Sequence, residues 1–242
     1  IATACGEVGP LPFPTPAQHD LVVLTRPGLL TYSSDDNGNP TGIEYDLTQA
    51  FAQELGVGVR YIVVEPEKLE TQLAASQYHL AAAWLSPIAN STIQSTPAIF
   101  QTRDMLAQHE ASLPLTERSQ LAGKTVHVLA GTRQALTLAR LAREIAGLKV
   151  IEVGQGDILD LLEKLGNRQV EYVAIDEGFE DIANQYVPNL RTTLALNETQ
   201  PVVWLLGQQP NAELKARLDT FIERVQHDGT LARLEDRYLG PV

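Results

Sequence analysis

Apolar and polar positions along the chain alternate in a repeating order of short strands and longer helices. The run Leu21 to Leu24 is continuously apolar, as in a strand buried on both faces. Helical spacing of apolar residues from Tyr45 to Gly56 predicts a helix, and a second helix is expected from Glu67 to Ser76. Val59 to Val64 and Leu80 to Leu85 predict two more strands. This strand-helix-strand-helix-strand order favours a parallel sheet with crossover helices.

The same order restarts after Pro114, so the chain predicts two α/β units in tandem and therefore two lobes. The second unit has three strands and two helices, expected at Thr125 to Leu129, Thr132 to Ala146, Lys149 to Val153, Ile158 to Gly166 and Tyr172 to Ile175. A further strand and two helices follow, expected at Pro201 to Leu206, Leu214 to Val225 and Asp228 to Gly240.

The first 19 residues differ from the rest of the chain. Prolines at 10, 12, 14 and 16 hold the backbone extended, so we expect an N-terminal tether over residues 1–19. Cys5 follows small residues in a pattern similar to the end of a lipoprotein signal, where the cysteine carries the lipid anchor. An ordinary cysteine is the alternative. With one cysteine there can be no internal disulfide.

Composition narrows the class of partner. The 242 residues are 44% hydrophobic, which is enough for a large core, and no run approaches the ~20 apolar residues of a membrane span. The net charge of −12 argues against nucleic acid as a partner. The five histidines have no spacing typical of metal ligands, and we expect neither a metal nor another cofactor.

The last helix carries the first resemblance to a known family. Asp228 to Gly240 resembles the closing signature of the bacterial extracellular solute-binding proteins of the amino-acid-binding type. Gly42 to Gly56, Ala130 to Thr132 and Val170 to Asp176 are similar to three other motifs of that family, in the same order. The resemblance covers most of the chain. It implies an α/β, two-lobed, periplasmic-binding-protein-like fold of type II, with two crossover hinge strands.

Three other segments resemble a smaller group within that family. Leu24 to Tyr32, Glu44 to Leu47 and Glu198 to Trp204 look like the N-terminal module of the membrane-bound lytic transglycosylase F family, which precedes a peptidoglycan-cleaving domain. This implies a non-catalytic periplasmic sensor, a monomer that binds an amino acid or a cell-wall peptide fragment. Its expected partner is a C-terminal catalytic domain, and Cys5 would anchor it to the outer membrane.

The resemblance also implies how the chain divides between the lobes. Residues 20–106 and 200–242 would form the first lobe, and residues 114–194 the second. Residues 107–113 and 195–199 would then be the two hinge segments. A ligand would bind in the cleft between the lobes.

The family's ligand contacts carry over residue by residue only in part. In that family a bound amino acid meets an arginine and helix N-terminal N–H groups through its carboxylate, and an acidic side chain through its ammonium. The resemblance places Gly131 and Thr132 at the carboxylate and Asp176 at the ammonium. Ser86 is also expected to contact the ligand. It lies in the stretch Leu85 to Pro97, which stands where the family has its arginine but contains none.

Another cation must therefore replace the missing arginine if a carboxylate is bound. Arg26, Arg103 and Arg133 are the candidates, and we favour Arg26, whose alternative is a surface or hinge ion pair. Trp84 stands where the family has glycine. Trp84 and Tyr32 would wall the cleft, or else belong to the core.

Two acidic residues, Glu44 and Asp46, lie at the start of a helix, where we expect them to act as capping residues.

Two other functions remain open at this point. A stand-alone substrate-binding component for an amino-acid importer would pair with a membrane permease. An enzyme such as a small-carboxylate dehydratase would need an acid or base in the cleft, for which Asp176, Glu177 and His127 are the candidates. The missing arginine counts against the importer, and fold alone does not establish an enzyme.

Overall fold

The computed structural model describes residues 11–75 and 77–240, and the helices and strands that the sequence predicts occur in the expected order, with further strands and one further α-helix between them. The strands are β1 Leu21–Thr25, β2 Ser33–Ser34, β3 Pro40–Thr41, β4 Val59–Val63, β5 Leu80–Leu85, β6 Gln94–Ser95, β7 Phe100–Thr102, β8 Asp104–His109, β9 Thr125–Leu129, β10 Lys149–Val153, β11 Tyr172–Asp176, β12 Leu190–Ala195 and β13 Gln200–Gly207. The α-helices are α1 Ile43–Leu55, α2 Leu69–Ala75, α3 Arg133–Glu144, α4 Ile158–Gly166, α5 Glu180–Tyr186, α6 Ala212–His227 and α7 Thr230–Leu239.

The first sheet has the strand order β4-β1-β5-β13-β6, and β7 also pairs with β13. Strands β4, β1 and β5 run parallel, whereas β13 runs antiparallel to β5. Helix α1 covers this sheet with its buried residues Leu47, Phe51 and Leu55, and it ends at Gly56, whose φ of 70° is the left-handed conformation of a helix stop. These elements form the first lobe.

The second sheet repeats this plan with the order β10-β9-β11-β8-β12. Strands β10, β9 and β11 are parallel, and β8 lies antiparallel to both β11 and β12. Helices α3 and α4 start at side-chain caps, in which Thr132 accepts from the Ala135 N–H and Asp157 from the Asp160 N–H. The predicted pair of α/β units is therefore present as two lobes.

The chain crosses between the sheets twice. The first crossing is at Arg103, because Phe100–Thr102 pairs in the first sheet and Asp104–His109 in the second. Residues 107–113, which we expected to be a hinge, instead contain the end of β8 and a turn, since the apolar pairing of β8 with β11 extends that far. The second crossing joins β12 to β13 through residues 196–199, within the expected segment.

The two crossings lie side by side. The Leu196 N–H donates to the Asp104 carbonyl at 2.7 Å, and the Asn197 side chain bonds both the N–H and the carboxylate of Asp104. Because β8 and β12 also pair, hydrogen bonds connect the two crossings directly where the lobes join.

Both ends of the described chain return to the first lobe. Residues 11–19 do not form a free tether as expected, because the Pro12 carbonyl bonds His79 Nε2 at 2.8 Å and Phe13 packs on the core. At the other end, α7 packs against α1, and the Tyr238 hydroxyl bonds Asp46. Residues 1–10, with Cys5, lie outside the described residues. Within the described part, no helix is long and apolar enough to cross a membrane.

Candidate functional site

The predicted site residues converge where the two lobes meet. Arg26, Trp84, Thr132 and Asp176 line one cavity, together with Gln134 and Phe179. The cavity encloses about 30 Å³, which is too little for a molecule of amino-acid size. The lobes are therefore closed on each other, and a ligand of amino-acid size needs the cleft to widen.

An ion pair within the second lobe lies at this gap, and its arginine also bonds across to the first lobe. Arg133, the first residue of α3 in the second lobe, donates from Nη1 to Asp176 Oδ2 at 2.7 Å and from Nε to Ser86 Oγ of the first lobe at 2.7 Å. Both charged side chains are 3% exposed. Buried ions are retained only when paired and hydrogen-bonded, and this arrangement meets that requirement except at Arg133 Nη2, which has no hydrogen-bond partner among the described residues.

Asp176 is surrounded by donors from the protein itself. Oδ1 accepts from the Thr102 hydroxyl and the Gly178 N–H, each at 2.8 Å, and Oδ2 accepts from Arg133 and, at 3.4 Å, from Gln134 Nε2. Burial raises the pKa of Asp176, whereas these donors favour the ionised form. Since each of these hydrogen bonds comes from a donor, both oxygens of the carboxylate are already engaged within the protein.

A second buried carboxylate completes the cluster. Asp104, with 0% exposure, accepts from Gln134 Nε2 at 2.8 Å, from Asn197 Nδ2 at 2.9 Å and from the Thr137 hydroxyl. Its oxygen lies 3.5 Å from Arg133 Nη2. Asp104 thus ties the start of α3 to both crossings, a connection that the sequence pattern did not indicate.

Arg26 is a cation with free hydrogen-bonding capacity at the cavity. It is 8% exposed, and the only hydrogen bond of its side chain in the described part of the chain runs from Nε to the Ala83 carbonyl at 3.0 Å. Burial lowers the pKa of Arg26 to about 10, although Asp176 and Glu44 act through space in the opposite direction. The terminal guanidinium nitrogens remain available to an anion.

Trp84 lines the cavity, and the Glu44 carboxyl lies next to the Trp84 backbone. Trp84 has a φ of 55°, an unusual conformation for any residue but glycine, and its ring packs against Phe100 at 5.1 Å between centroids. Its buried Nε1 has no hydrogen-bond partner. Glu44 is 1% exposed and accepts from Trp204 Nε1 at 3.1 Å, and burial raises its pKa to about 8.

The expectation that Glu44 caps α1 is therefore wrong. Gly42 is the N-cap of that helix and provides no side-chain bond, while Glu44 faces Trp204 in the core. Asp46 binds Arg237 and the Tyr238 hydroxyl instead of the helix N-terminus.

Gly131 and Thr132 shape the edge of the gap. Gly131 has a φ of 70°, and a Cβ there would lie 2.3 Å from the Pro66 carbonyl oxygen of the first lobe, so only glycine permits this approach. The Thr132 hydroxyl donates to the Leu129 carbonyl and accepts from the Ala135 N–H. The backbone N–H groups of Arg133 and Gln134 have no acceptor among the described residues.

The other candidates lie elsewhere. Tyr32 does not line the cavity but packs with the rings of Tyr45 and Tyr61 on the first lobe. Arg103 forms a half-exposed ion pair with Glu177. His127 lies within β9, where burial lowers its pKa. No group of three or more His, Cys, Asp and Glu residues able to hold a metal occurs in the described chain.

The two lobes, the double crossing and the charged gap define a solute-binding fold. The sequence profile of the bacterial extracellular solute-binding proteins, family 3, matches residues 21–241. The chain belongs to that family.

The chain is also similar in sequence to individual curated proteins. The chain is 33% identical over 230 residues to membrane-bound lytic murein transglycosylase F of Pseudomonas putida strain W619, covering 92% of this chain and 46% of the relative. It is 30% identical over 227 residues to the protein of that name from Nitrosospira multiformis, covering 92% and 47%. The chain therefore spans about half the length of the curated relatives it matches.

Solved structures confirm the type II periplasmic-binding fold. A putative L-cystine ABC transporter protein from Listeria monocytogenes superposes with a TM-score of 0.81 at 20% identity, covering 91% of this chain and 96% of the other. An ancestral arginine-binding protein bound to arginine gives a TM-score of 0.79 at 19% identity, and the superposition covers 90% of this chain and 97% of that protein.

Proposed function

We propose that this chain is the periplasmic solute-binding module of a lytic transglycosylase F-like protein, and that it senses a small ligand held between its lobes. The observation that carries the proposal is the cavity at the lobe interface, at which Arg26 has unfilled hydrogen-bonding capacity. Two lobes joined by a paired double crossing can open and close around such a cavity. The similarity to transglycosylase F over 92% of the chain supports the sensor assignment.

The ligand we propose is an amino acid or a cell-wall peptide fragment. A ligand that prefers the closed arrangement shifts the population toward it, and a neighbouring catalytic domain could respond to that shift. The module itself binds and does not cleave, because the acidic groups at the cavity are committed to internal ion pairs and hydrogen bonds. We propose a monomer, with lipid attachment at Cys5 holding it near the outer membrane.

The test is a thermal-shift screen of the purified chain with free amino acids and purified muropeptides. A ligand present at 100 times its Kd should stabilise the chain by about 2.7 kcal/mol, which shifts Tm by several degrees. Arg26→Met should abolish the shift. Arg60→Met is the matched control, because Arg60 is exposed on the neighbouring strand β4. No shift with any compound, or an equal shift in Arg26→Met, would contradict the proposal.

Importer and sensor functions are separated by genetic context. A lysozyme-like domain encoded downstream of Val242 in the same reading frame would support the sensor, whereas a neighbouring permease gene would support a stand-alone importer component.

A further inference from the structure

Arg133 occupies the place on Asp176 that a positively charged ligand group would need. Its Nη1 lies 2.7 Å from Asp176 Oδ2, and its Nε bonds Ser86 Oγ across the gap. The other oxygen of Asp176 is bonded to Thr102 and Gly178. The protein's own guanidinium thus provides the cation that this carboxylate requires.

A ligand ammonium could reach Asp176 only by displacing Arg133. The displaced guanidinium, 3% exposed in this structure, would lose its 2.7 Å bond to Asp176 and keep only Asp104, 3.5 Å from its Nη2, in a gap shared with Arg26. Breaking the closer of two buried ion pairs is costly, because the remaining charge is less well compensated. An ammonium on the ligand therefore gains little at this site.

The unfilled donors at the cavity favour a negative charge. Arg26 offers the terminal nitrogens of its guanidinium, and Trp84, 2% exposed, has an unpartnered Nε1 N–H. The 12-residue helix α3 begins at the cavity with unpaired N–H groups on Arg133 and Gln134. Guanidinium groups and helix N-termini are both suited to carboxylates.

We propose that the cleft selects a carboxylate that has no neighbouring ammonium, such as the carboxylate of an N-acylated amino acid or peptide. Arg26 and the start of α3 bind the carboxylate, and Arg133 excludes the ammonium by neutralising Asp176. This rests on the proposed function, since it assumes that the ligand binds between the lobes, and it specifies the chemical class of that ligand.

The experiment uses four alanine compounds that differ only in their charged groups, each in its L and D form. They are N-acetylalanine with the carboxylate alone, alanine with both charges, alaninamide with the ammonium alone, and N-acetylalanine methylamide with neither. Binding to the whole chain is measured by calorimetry and by tryptophan fluorescence, since Trp84, one of the two tryptophans, lines the cavity. We expect N-acetylalanine to bind about tenfold or more tightly than alanine, and the other two compounds not to bind.

Variants assign the selectivity to its residues. Arg133→Met frees Asp176 and should shift the affinity ratio of alanine to N-acetylalanine by about tenfold or more toward alanine. Arg140→Met is the matched control, because Arg140 is exposed on the same helix, and it should leave the ratio unchanged. Arg26→Met should remove N-acetylalanine binding. If Arg133→Met does not fold, the wild-type comparison alone decides the question.

The possible results separate this inference from the proposed function. If wild-type protein binds alanine as tightly as N-acetylalanine, or more tightly, the exclusion of ammonium is overturned while ligand binding stands. If N-acetylalanine methylamide binds as well as N-acetylalanine, the carboxylate site is overturned. If no compound in the set binds, the inference is overturned, and the screen of amino acids and muropeptides then decides the proposed function separately.

Discussion

Replacing Glu44 with glutamine should remove a pH-dependent loss of stability. Burial raises the pKa of Glu44 from 4.5 to about 8, so this carboxyl holds its proton in the folded chain at pH values where the unfolded chain releases it. The folded state then binds more protons than the unfolded state. By linkage, the free energy of unfolding falls as the pH rises from 4.5 to 8 and is unaffected by this group below pH 4.5.

The magnitude follows from the size of that window. Each pH unit between 4.5 and 8 lowers the free energy of unfolding by about 1.4 kcal/mol. The loss of stability is therefore near 3 kcal/mol at pH 7 and approaches 5 kcal/mol at pH 8. Glu44→Gln retains an oxygen that can accept from Trp204 Nε1 at the position of the present 3.1 Å bond, but it does not titrate. We expect the variant's advantage over wild type to grow by about 3 kcal/mol between pH 5 and pH 7.

Urea denaturation at pH 5, 6, 7 and 8 measures this difference, with the tryptophan fluorescence as the signal. Comparing the change with pH cancels any constant cost of the new amide group. Glu163→Gln serves as the control, because Glu163 is exposed in α4 and makes no ion pair among the described residues. A Glu44→Gln effect that stays constant from pH 5 to pH 8 would refute the reasoning.

Three further outcomes are expected. Gly131→Ala should hold the lobes apart, because its Cβ would meet the Pro66 carbonyl. Small-angle scattering should then show a larger radius of gyration. Gly123→Ala is the control, because it has similar backbone strain and no neighbour within 4 Å, and it should not expand the molecule. Tyr238→Phe should lower the free energy of unfolding by about 1 kcal/mol through loss of the hydroxyl bond to Asp46, and unchanged urea denaturation would contradict this. The purified chain should release no soluble fragments from murein sacculi, and chromatographic detection of turnover would disprove the assignment as a binding module.

The sequence alone predicted most of the fold because local patterns specify its elements. Continuous apolar runs located β1 and β5, and helical periodicity located α1 and α6 within two residues at each end. The first crossing was misplaced since Arg103 is a single residue between two strands, β7 and β8, that form one extended run in the sequence.

The site was predictable only in part. Arg26, Trp84, Thr132 and Asp176 were found through their place in family motifs, and they do meet at one cavity. The pairing of Arg133 with Asp176 joins residues 43 positions apart, and no local spacing encodes it.

Glu44 was misassigned for a related reason. An acidic residue in the first turn of a helix is usually a favourable surface charge, and its partner Trp204 is 160 positions away.

The left-handed backbone at Trp84 limits how this protein can be altered. Glycine is the one replacement that relieves such a backbone, by roughly 1–2 kcal/mol, yet it would remove a large ring and leave a void of greater cost beside Phe100. Any other side chain keeps the conformational penalty and loses part of the packing. Attempts to raise thermal stability should therefore leave this position alone, and selections for new ligand preferences should expect changes here to come at the expense of folding.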